Sequence, residues 1–404
     1  MQPPPVASGR VDAFAEPSRA DTALMVGGWL LYPSAFAGAV YDSNANQSAT
    51  GTVSRAGLRL VPSLFAQTST GISKTTLYGS LDGRLYLNHG ANNSDAISVR
   101  SGIAGMYQPL PDLLLTGQAD FARQRDLFST LGVTNNLSLP DTTAIGLAPS
   151  VNPQSYNQLS GAASVQKNFA GAFAIFSASV VDQMFDHDSG GVAPSPDGVI
   201  YSGTGRGGIW ITPALYGYVE GSLDKRDYAT RALSSSGYRA VGGLGTDRIG
   251  LFRGEAYGGY QSETYNSAGI GTVGGAVFGG RIHYFPLPEL AIKFSADETL
   301  GASLLATAPA TPSGTSTRLT SVLAKADYSI APEWGASGRA GYIHADYRNN
   351  LRHDNAWTVG TTFGYYFWRN VGVSLDYQHV ELTSNIASQS FTRDIVTLGL
   401  VYKY

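Results

Sequence analysis

The feature that most constrains the fold of this chain is an alternation of apolar residues with small or polar residues, which recurs along most of the sequence. The final segment, VTLGLVYKY, shows it clearly. Val396, Leu398, Leu400, Tyr402 and Tyr404 alternate with smaller or more polar residues, and a period of two residues is that of a β-strand with one apolar face. Because an unpaired apolar strand at an exposed edge promotes aggregation, this face requires a cover.

Charged residues are confined to one face of these segments. In TLYGSLDGRLYL (76–87), Asp82 and Arg84 share a face with Tyr78, while leucines such as Leu81 occupy the opposite face. A soluble sandwich places its apolar face inside and a membrane barrel places it outside, so the period alone does not separate the two folds. Sandwich strands average about five or six residues, whereas these segments run roughly twice that length, as the strands of transmembrane barrels do.

Composition agrees with a membrane barrel. Charged residues make up 14% of the chain, against about 25% in an ordinary soluble domain. No run approaches the roughly 20 apolar residues of a spanning helix, which excludes a helical membrane protein and leaves a closed barrel. The net charge of -3 and the absence of a Lys/Arg run argue against nucleic acid as a partner. A chain without cysteine has no disulfides or thiolate metal sites.

The pattern predicts about 18 antiparallel strands in a single, all-β, up-and-down transmembrane barrel. We expect residues 31–404 to form the barrel and residues 1–30, which are rich in Pro, Ala and Ser, to form a flexible periplasmic segment. Short connections, such as 212–214, alternate with long ones, such as 127–156. In barrels of the outer membrane the short turns are periplasmic and the long loops are extracellular.

Aromatic residues cluster at the short-turn ends of the predicted strands, as expected for a girdle at the membrane interface. They are Tyr107, Tyr284, Phe285, Tyr328, Trp334, Phe367, Trp368, Tyr402 and Tyr404. The opening MQPPPVASGR lacks the apolar core of a secretory signal. We expect that the signal has been removed and that the protein resides in, and contacts the lipid of, the outer membrane of a Gram-negative bacterium.

One stretch resembles a known family. GGWLLYPSAFAGAVYDSN (27–44) is similar to the entry strand of the putative β-barrel porin 2 family, with Pro33, Tyr41, Asp42 and Asn44 at matching positions. LRLVPSLFAQ (58–67) looks like the second strand of that family. Many members are encoded near exopolysaccharide or capsule secretion systems, so the resemblance implies an outer-membrane pore for polysaccharide export, with a periplasmic export component as a partner. It implies no catalytic residues.

The alternative function is a general diffusion or uptake porin for small hydrophilic solutes. A porin predicts that a long loop, 127–156, folds into the lumen as a constriction. An exporter predicts a wide lumen or a plug that a periplasmic partner releases.

Other motifs favour structural roles over sites. GTGRGG (203–208) and GIGTVGG (269–275) match a dinucleotide-binding string, but neither lies in a βαβ unit, so we interpret these glycines as packing under neighbouring aromatic rings. FDHDSGG (185–191) offers three adjacent metal-ligand types, which rarely form a site alone. Without a GxSxG elbow, histidines near the extracellular rim favour an interfacial belt over an enzyme. They are His89, His187, His344, His353 and His379. We predict no enzymatic activity, no cofactor and no metal.

The strand register predicts which charged residues and tyrosines line the lumen. They are Tyr78, Asp82, Arg84, Arg100, Asp120, Tyr216, Tyr218, Glu220, Asp224, Arg226, Arg253, Glu255, Tyr257, Arg281, Lys293, Asp297, Lys325 and Asp327. Charges of both signs favour neutral or weakly charged hydrophilic solutes such as sugars, and the inward tyrosines offer rings on which sugars stack. Replacing Arg84, Arg226, Arg253 and Arg281 with Ala is expected to change conductance with little effect on stability.

Overall fold

The computed structural model describes residues 23–87, 95–124, 155–186, 197–229, 231–303, 315–347 and 351–404. Within these ranges the chain forms 18 long antiparallel strands that close into a barrel, with one additional short strand. The predicted fold class is therefore confirmed. In the part of the chain that the structure describes, no helix is long and apolar enough to cross a membrane.

The strands are numbered in chain order. They are β1 Leu24–Val26, β2 Trp29–Asp42, β3 Arg55–Ser69, β4 Ser73–Tyr86, β5 Ala96–Leu110, β6 Leu113–Gln124, β7 Tyr156–Asn168, β8 Ala172–Phe185, β9 Gly198–Trp210, β10 Leu215–Tyr228, β11 Ser235–Ile249, β12 Phe252–Tyr265, β13 Thr272–Leu287, β14 Leu290–Ser303, β15 Thr315–Ala331, β16 Trp334–Tyr347, β17 His353–Tyr366, β18 Val371–Ser384 and β19 Phe391–Lys403. Among the described residues, two short 3-10 turns lie at Arg231–Leu233 and Ala387–Gln389.

The start of the barrel differs from the prediction. The first barrel strand begins at Trp29, so the expected boundary between residues 30 and 31 falls inside β2. Strand β1 pairs with the periplasmic end of β2 through a two-residue turn in which Gly27 and Gly28 have positive φ angles of 55° and 85°. Such a turn needs residues that adopt positive φ without strain, which glycine does.

The two faces of each strand meet different environments. Along β4, Leu77, Leu81 and Leu85 are 39%, 38% and 43% exposed, whereas the alternate residues Asp82 and Arg84 point to the interior and are partly or fully buried. The same alternation recurs around the barrel. The exposed apolar face is the face that lipid covers, and the inner face carries the charges.

The aromatic residues predicted for the girdle lie at the periplasmic ends of the strands, next to the short turns. Most of them are exposed on the lipid face, including Trp334 at 47% and Trp368 at 69%. Tyr284 instead stacks on Phe252 of the neighbouring strand, with ring centroids 4.5 Å apart. Amphipathic rings at this level suit the membrane–water interface.

The first and last barrel strands, β2 and β19, close the sheet. They pair from Asp42 opposite Ile395 down to Ser34 opposite Lys403. At the extracellular end, the buried Asp42 carboxylate accepts hydrogen bonds from Arg393 Nη2 at 2.6 Å and from Tyr86 Oη at 2.7 Å.

The neighbouring residues of the same motif also hold this closing seam. The Asn44 amide donates to the Thr392 carbonyl at 3.0 Å, and the Asp394 amide donates to Ser43 Oγ at 2.8 Å. The YDSN stretch that carries the family resemblance therefore fastens the closing seam at its extracellular end.

The contact between β13 and β14 is incomplete. The two strands pair from Leu287 opposite Leu290 only as far as Gly279 opposite Asp297, although both continue toward the extracellular side. Above this point β14 turns inward. Leu300, which has the parity of the lipid face, packs instead with Tyr228 and Tyr265 from the inner faces of β10 and β12.

Side chains satisfy the backbone groups that this gap exposes. Gln261 accepts from the Leu300 amide at 3.2 Å and donates to the Leu300 carbonyl at 3.3 Å, and Arg226 donates to the same carbonyl at 3.3 Å. On the other side of the gap, Arg318 donates to the Ala276 carbonyl at 2.8 Å. Because a buried backbone group without a partner is costly, these polar side chains lower the free-energy cost of the gap.

The closing seam generates the first prediction. Asp42→Asn removes the charge partner of Arg393, which is 4% exposed, and breaking a buried ion pair costs about 3–5 kcal/mol. Urea unfolding of the barrel in detergent micelles measures this loss. Asp394→Asn is the matched control, because Asp394 lies next to Arg393 with its side chain 41% exposed, and an exposed pair contributes about 0.2–1 kcal/mol. Equal losses for the two variants would contradict this account of closure.

The gap generates a second prediction. Gln261→Leu leaves the buried Leu300 amide without its partner, which costs about 1–3 kcal/mol. Urea unfolding gives the loss of stability, and hydrogen exchange of the Leu300 amide shows whether it is local. Gln67→Leu is the control, because the Gln67 amide contacts only Tyr32 Oη at 3.5 Å, and we expect little effect. Unchanged protection of the Leu300 amide in Gln261→Leu would show that the edge is satisfied in another way.

Candidate channel lining

The structure places the predicted lining residues on the inner face of the barrel. Each alternates along its strand with residues of the lipid face, and each pairs across the sheet with other inner-face residues, as Glu255 does with Arg281 and Tyr78 with Gly102. The parity of the strand pattern thus located these side chains on the correct face. Their depth and their partners differ along the barrel.

The inner wall is open to solvent near the periplasmic end. The side chains of Asp247, Arg253 and Asp327 are 33%, 42% and 39% exposed. Arg281, His283 and Lys293 lie at a similar level and are partly exposed. We call this region of β11 to β15 the periplasmic vestibule. Here the charged side chains of the inner wall are partly exposed to solvent.

The inner wall is packed near the extracellular end. Arg226 and Glu263, 3.1 Å apart, have side chains that are 4% and 0% exposed, and Arg352 and Asp354, 2.6 Å apart, are 4% and 1% exposed. An apolar cluster on the inner faces of β15 to β19 is buried with them. Its members are Leu319, Ile343, Ala345, Tyr347, Ala356, Val380, Leu382 and Phe391. We call this region the extracellular packed zone.

An ion-pair network joins the two regions on the inner faces of β9 to β12. Arg206 contacts Glu220 at 2.6 Å and Glu255 at 2.9 Å, and its guanidinium lies 4.1 Å from the centroid of the Tyr218 ring. Glu220 and Glu255 are among the residues predicted from the sequence to line the lumen, whereas Arg206 is not. The alternation in GTGRGGIW places Arg206 on the same strand face as Trp210, and this pattern could have identified Arg206 as an inner-face residue.

The inward tyrosines lie flat on the wall. Tyr216 covers Gly245 and Tyr218 covers Gly243, because a Cβ atom on either glycine would lie within 2.6 Å of the ring above it. Tyr78 and Tyr257 cover glycines of the next strand in the same way. Tyr216 and Tyr218 are only 4% and 5% exposed, so these two rings have no free face for stacking on a sugar.

Several residues predicted to line the lumen are buried by other side chains. They are Arg84, Asp120, Tyr216, Tyr218, Arg226 and Lys325, which are 2–8% exposed. The physical reason is that neighbouring inner-face side chains pair with or cover one another, as Arg226 does with Asp224 and Glu263. Strand parity indicates the face on which a side chain lies and not whether other side chains bury it.

The remaining motifs have structural surroundings where they are described. Gly208 of GTGRGG lies under the Phe173 ring and Gly274 of GIGTVGG lies under Tyr260, which agrees with packing under aromatic rings. In FDHDSGG, Asp186 pairs with Arg123, and the next residues lie outside the described ranges. Among the described residues, no group of three or more His, Asp or Glu side chains could hold a metal ion.

Of the histidines predicted near the extracellular rim, some lie within the described residues and others lie outside them. His344 contacts Asn355 at 2.9 Å and His379 contacts Asp394 at 2.8 Å, both on the lipid-facing side of the wall near the extracellular rim. His89 and His187 lie outside the described residues, as does almost all of the loop 127–156 that a porin was expected to fold into its lumen.

A family model described as Putative beta-barrel porin 2 matches residues 19–404 of the chain, in agreement with the resemblance of the entry strand. A search of curated protein sequences finds no match.

Several solved structures are similar to this chain at low sequence identity. The siderophore receptor PirA from Pseudomonas aeruginosa is 8% identical, and the similarity covers 93% of this chain and 80% of that chain with a TM-score of 0.42. OccAB4 from Acinetobacter baumannii is 11% identical, and the similarity covers 93% of this chain and 98% of that chain with a TM-score of 0.45. An anion-selective porin from Comamonas acidovorans is 12% identical, and the similarity covers 93% of this chain and 99% of that chain with a TM-score of 0.35. Similarities at this level show nothing about the function of this chain.

The sequence predicted that replacing the inward arginines has little effect on stability. Because Arg226 is buried in the packed zone, we now expect its replacement to lower the stability. Arg226→Met leaves the fully buried Glu263 without its charge partner, which costs about 3–5 kcal/mol, and adding Glu263→Gln should recover part of the loss. Arg253→Met, at a side chain that is 42% exposed, should cost less than about 1 kcal/mol. Urea unfolding of the three variants tests this difference. Equal stability of Arg226→Met and Arg253→Met would mean that Arg226 faces water.

Proposed function

Because the chain belongs to the Putative beta-barrel porin 2 family, we propose that it is a channel in the outer membrane of a Gram-negative bacterium that conducts small hydrophilic solutes. It contacts outer-membrane lipid through its apolar face. We infer no catalytic role, since the function of a porin-like barrel lies in its lumen and not in a reactive group.

The separation of charge between the two faces supports a conduit. In the middle of the strands, charged side chains such as Arg206 and Glu255 lie on the inner face of a closed wall, while the lipid face there carries residues such as Leu223 and Val219, both 69% exposed. In the vestibule, charged groups such as Arg253 remain partly exposed although they lie inside the barrel. Burying charge without a partner is costly, so exposed charge on an inner wall is explained by water in the lumen.

The extracellular packed zone favours small solutes over a polymer. Export of a polysaccharide needs room for a chain of sugar rings along the whole lumen. In this zone Arg226 is instead buried against Glu263, and Arg393 is buried against Asp42. Polysaccharide export, together with a periplasmic export partner, therefore stays a prediction that follows from the resemblance and not from the geometry.

Reconstitution tests the proposed channel. The purified barrel should produce conductance steps in planar bilayers, and proteoliposomes should swell in small sugars at rates that fall steeply as the sugar becomes larger, because the packed zone restricts the lumen. Heat-denatured protein is the control for both measurements. The absence of conductance and of swelling would contradict a channel for small solutes.

A second measurement distinguishes a channel for small solutes from a polysaccharide exporter. Deleting the gene should leave the amount of polysaccharide at the cell surface unchanged. A loss of surface polysaccharide, together with proteoliposomes that do not swell in small sugars, would identify an exporter and overturn the proposed function.

A further inference from the structure

Five basic residues stand side by side on the inner face of five successive strands. Across β12 to β16, Arg253 pairs directly with His283, His283 with Lys293, Lys293 with Lys325, and Lys325 with Arg339. We call this set the basic row. The residues are far apart in the sequence, and only the pairing register of the strands brings them together.

Such a row is unfavourable for folding. Like charges placed directly opposite each other on neighbouring strands destabilise a sheet, and here Lys293, Lys325 and Arg339 are opposed on three successive strands. A wall that only needed to be hydrated would be more stable if charges of opposite sign alternated along it. This arrangement therefore points to a role other than stability.

Acidic groups compensate the row only in part. Asp327 pairs with Lys325 at 2.9 Å and Asp376 with Arg339 at 2.9 Å, while Asp247 lies 3.7 Å from Arg253. For Lys293, in the middle of the row, the described residues contain no hydrogen-bonding or ion-pair partner. The row is thus balanced at its ends and least compensated at Lys293.

The row leads from the vestibule toward the interior of the wall. Arg253 is the second residue of β12, at the periplasmic end, and its side chain is 42% exposed. Lys325 and Arg339 have side chains that are 8% and 7% exposed. A solute that enters the vestibule therefore meets the accessible end of the row, Arg253 and the partly exposed Lys293, where positive charge is least compensated and attracts anions. Acidic partners offset the charges of Lys325 and Arg339 at the buried end.

We propose that the basic row makes this channel selective for small anions, with a carboxylate- or phosphate-bearing solute as its natural cargo. The inference deepens the proposed function and rests on it. Ammonium and guanidinium groups bind oxyanions through charge-assisted hydrogen bonds, and rings or rows of Lys and Arg are how pores select anions and phosphate. Although the charges of the lumen have both signs, the register collects basic groups into one path, so a balanced overall composition does not imply a neutral route.

Reversal potentials in a KCl gradient across a planar bilayer test the proposal. The unmodified channel should favour Cl⁻ over K⁺, and millimolar inorganic phosphate should reduce the Cl⁻ current. In the double variant Arg253→Gln with Lys293→Gln, the permeability ratio should fall toward unity and the effect of phosphate should disappear.

Lys167→Gln is the matched control for loss of a positive charge. Lys167 lies on the lipid-facing side at the periplasmic end of β7, where its hydrogen bond lowers the pKa of Asp112 in the adjacent turn, so both readouts should stay as in the unmodified channel. Heat-modifiable migration on detergent gels verifies that each variant is folded.

The outcomes distinguish this inference from the proposed function. A conducting channel without anion preference, or a double variant that keeps the selectivity and phosphate response of the unmodified protein, overturns the basic row as a selectivity element but leaves the channel intact. The absence of conductance in every sample contradicts the channel itself.

Discussion

Closure of the sheet is the constraint on which the rest of this structure depends. In the hydrocarbon region an unpaired backbone group has no water to bind and costs several kcal/mol, so the first and last strands must pair. The buried Asp42 carboxylate, held by Arg393 and Tyr86, fastens this seam at its extracellular end. Only a closed sheet has an inside and an outside, and the separation of charge from lipid follows from that closure.

Within the closed wall, the inner face changes from exposed to packed along the membrane normal. Arg253 and Asp327 retain solvent contact in the vestibule, whereas Arg226, Glu263 and Leu300 are buried in the packed zone. The incomplete pairing of β13 and β14 contributes to this difference, because it allows the extracellular end of β14 to move into the lumen. Polar side chains that would otherwise line the channel then hold the exposed strand edge.

The sequence predicted the fold and the faces well, because alternation with a period of two residues is a local property. It separates Leu81 from Arg84 without any knowledge of neighbouring strands. The burial of Arg226, the inward position of Leu300 and the alignment of Lys293 with Lys325 depend on pairing between strands and on packing across the lumen, which the local pattern does not contain. The early start of β2 was missed because Trp29 to Pro33 is apolar on both faces and shows no alternation.

The natural absence of cysteine permits a direct test of the central claim, that the inner wall is open to water near the periplasm and packed near the cell exterior. Single substitutions Ser295→Cys in the vestibule, Ala296→Cys on the lipid face and Thr317→Cys in the packed zone place one thiol in each environment. A charged, membrane-impermeant thiol reagent added on the periplasmic side should modify Ser295→Cys rapidly and alter its conductance, and should leave the other two unmodified. Modification of Thr317→Cys as fast as Ser295→Cys, or of Ala296→Cys in place of Ser295→Cys, would contradict the account.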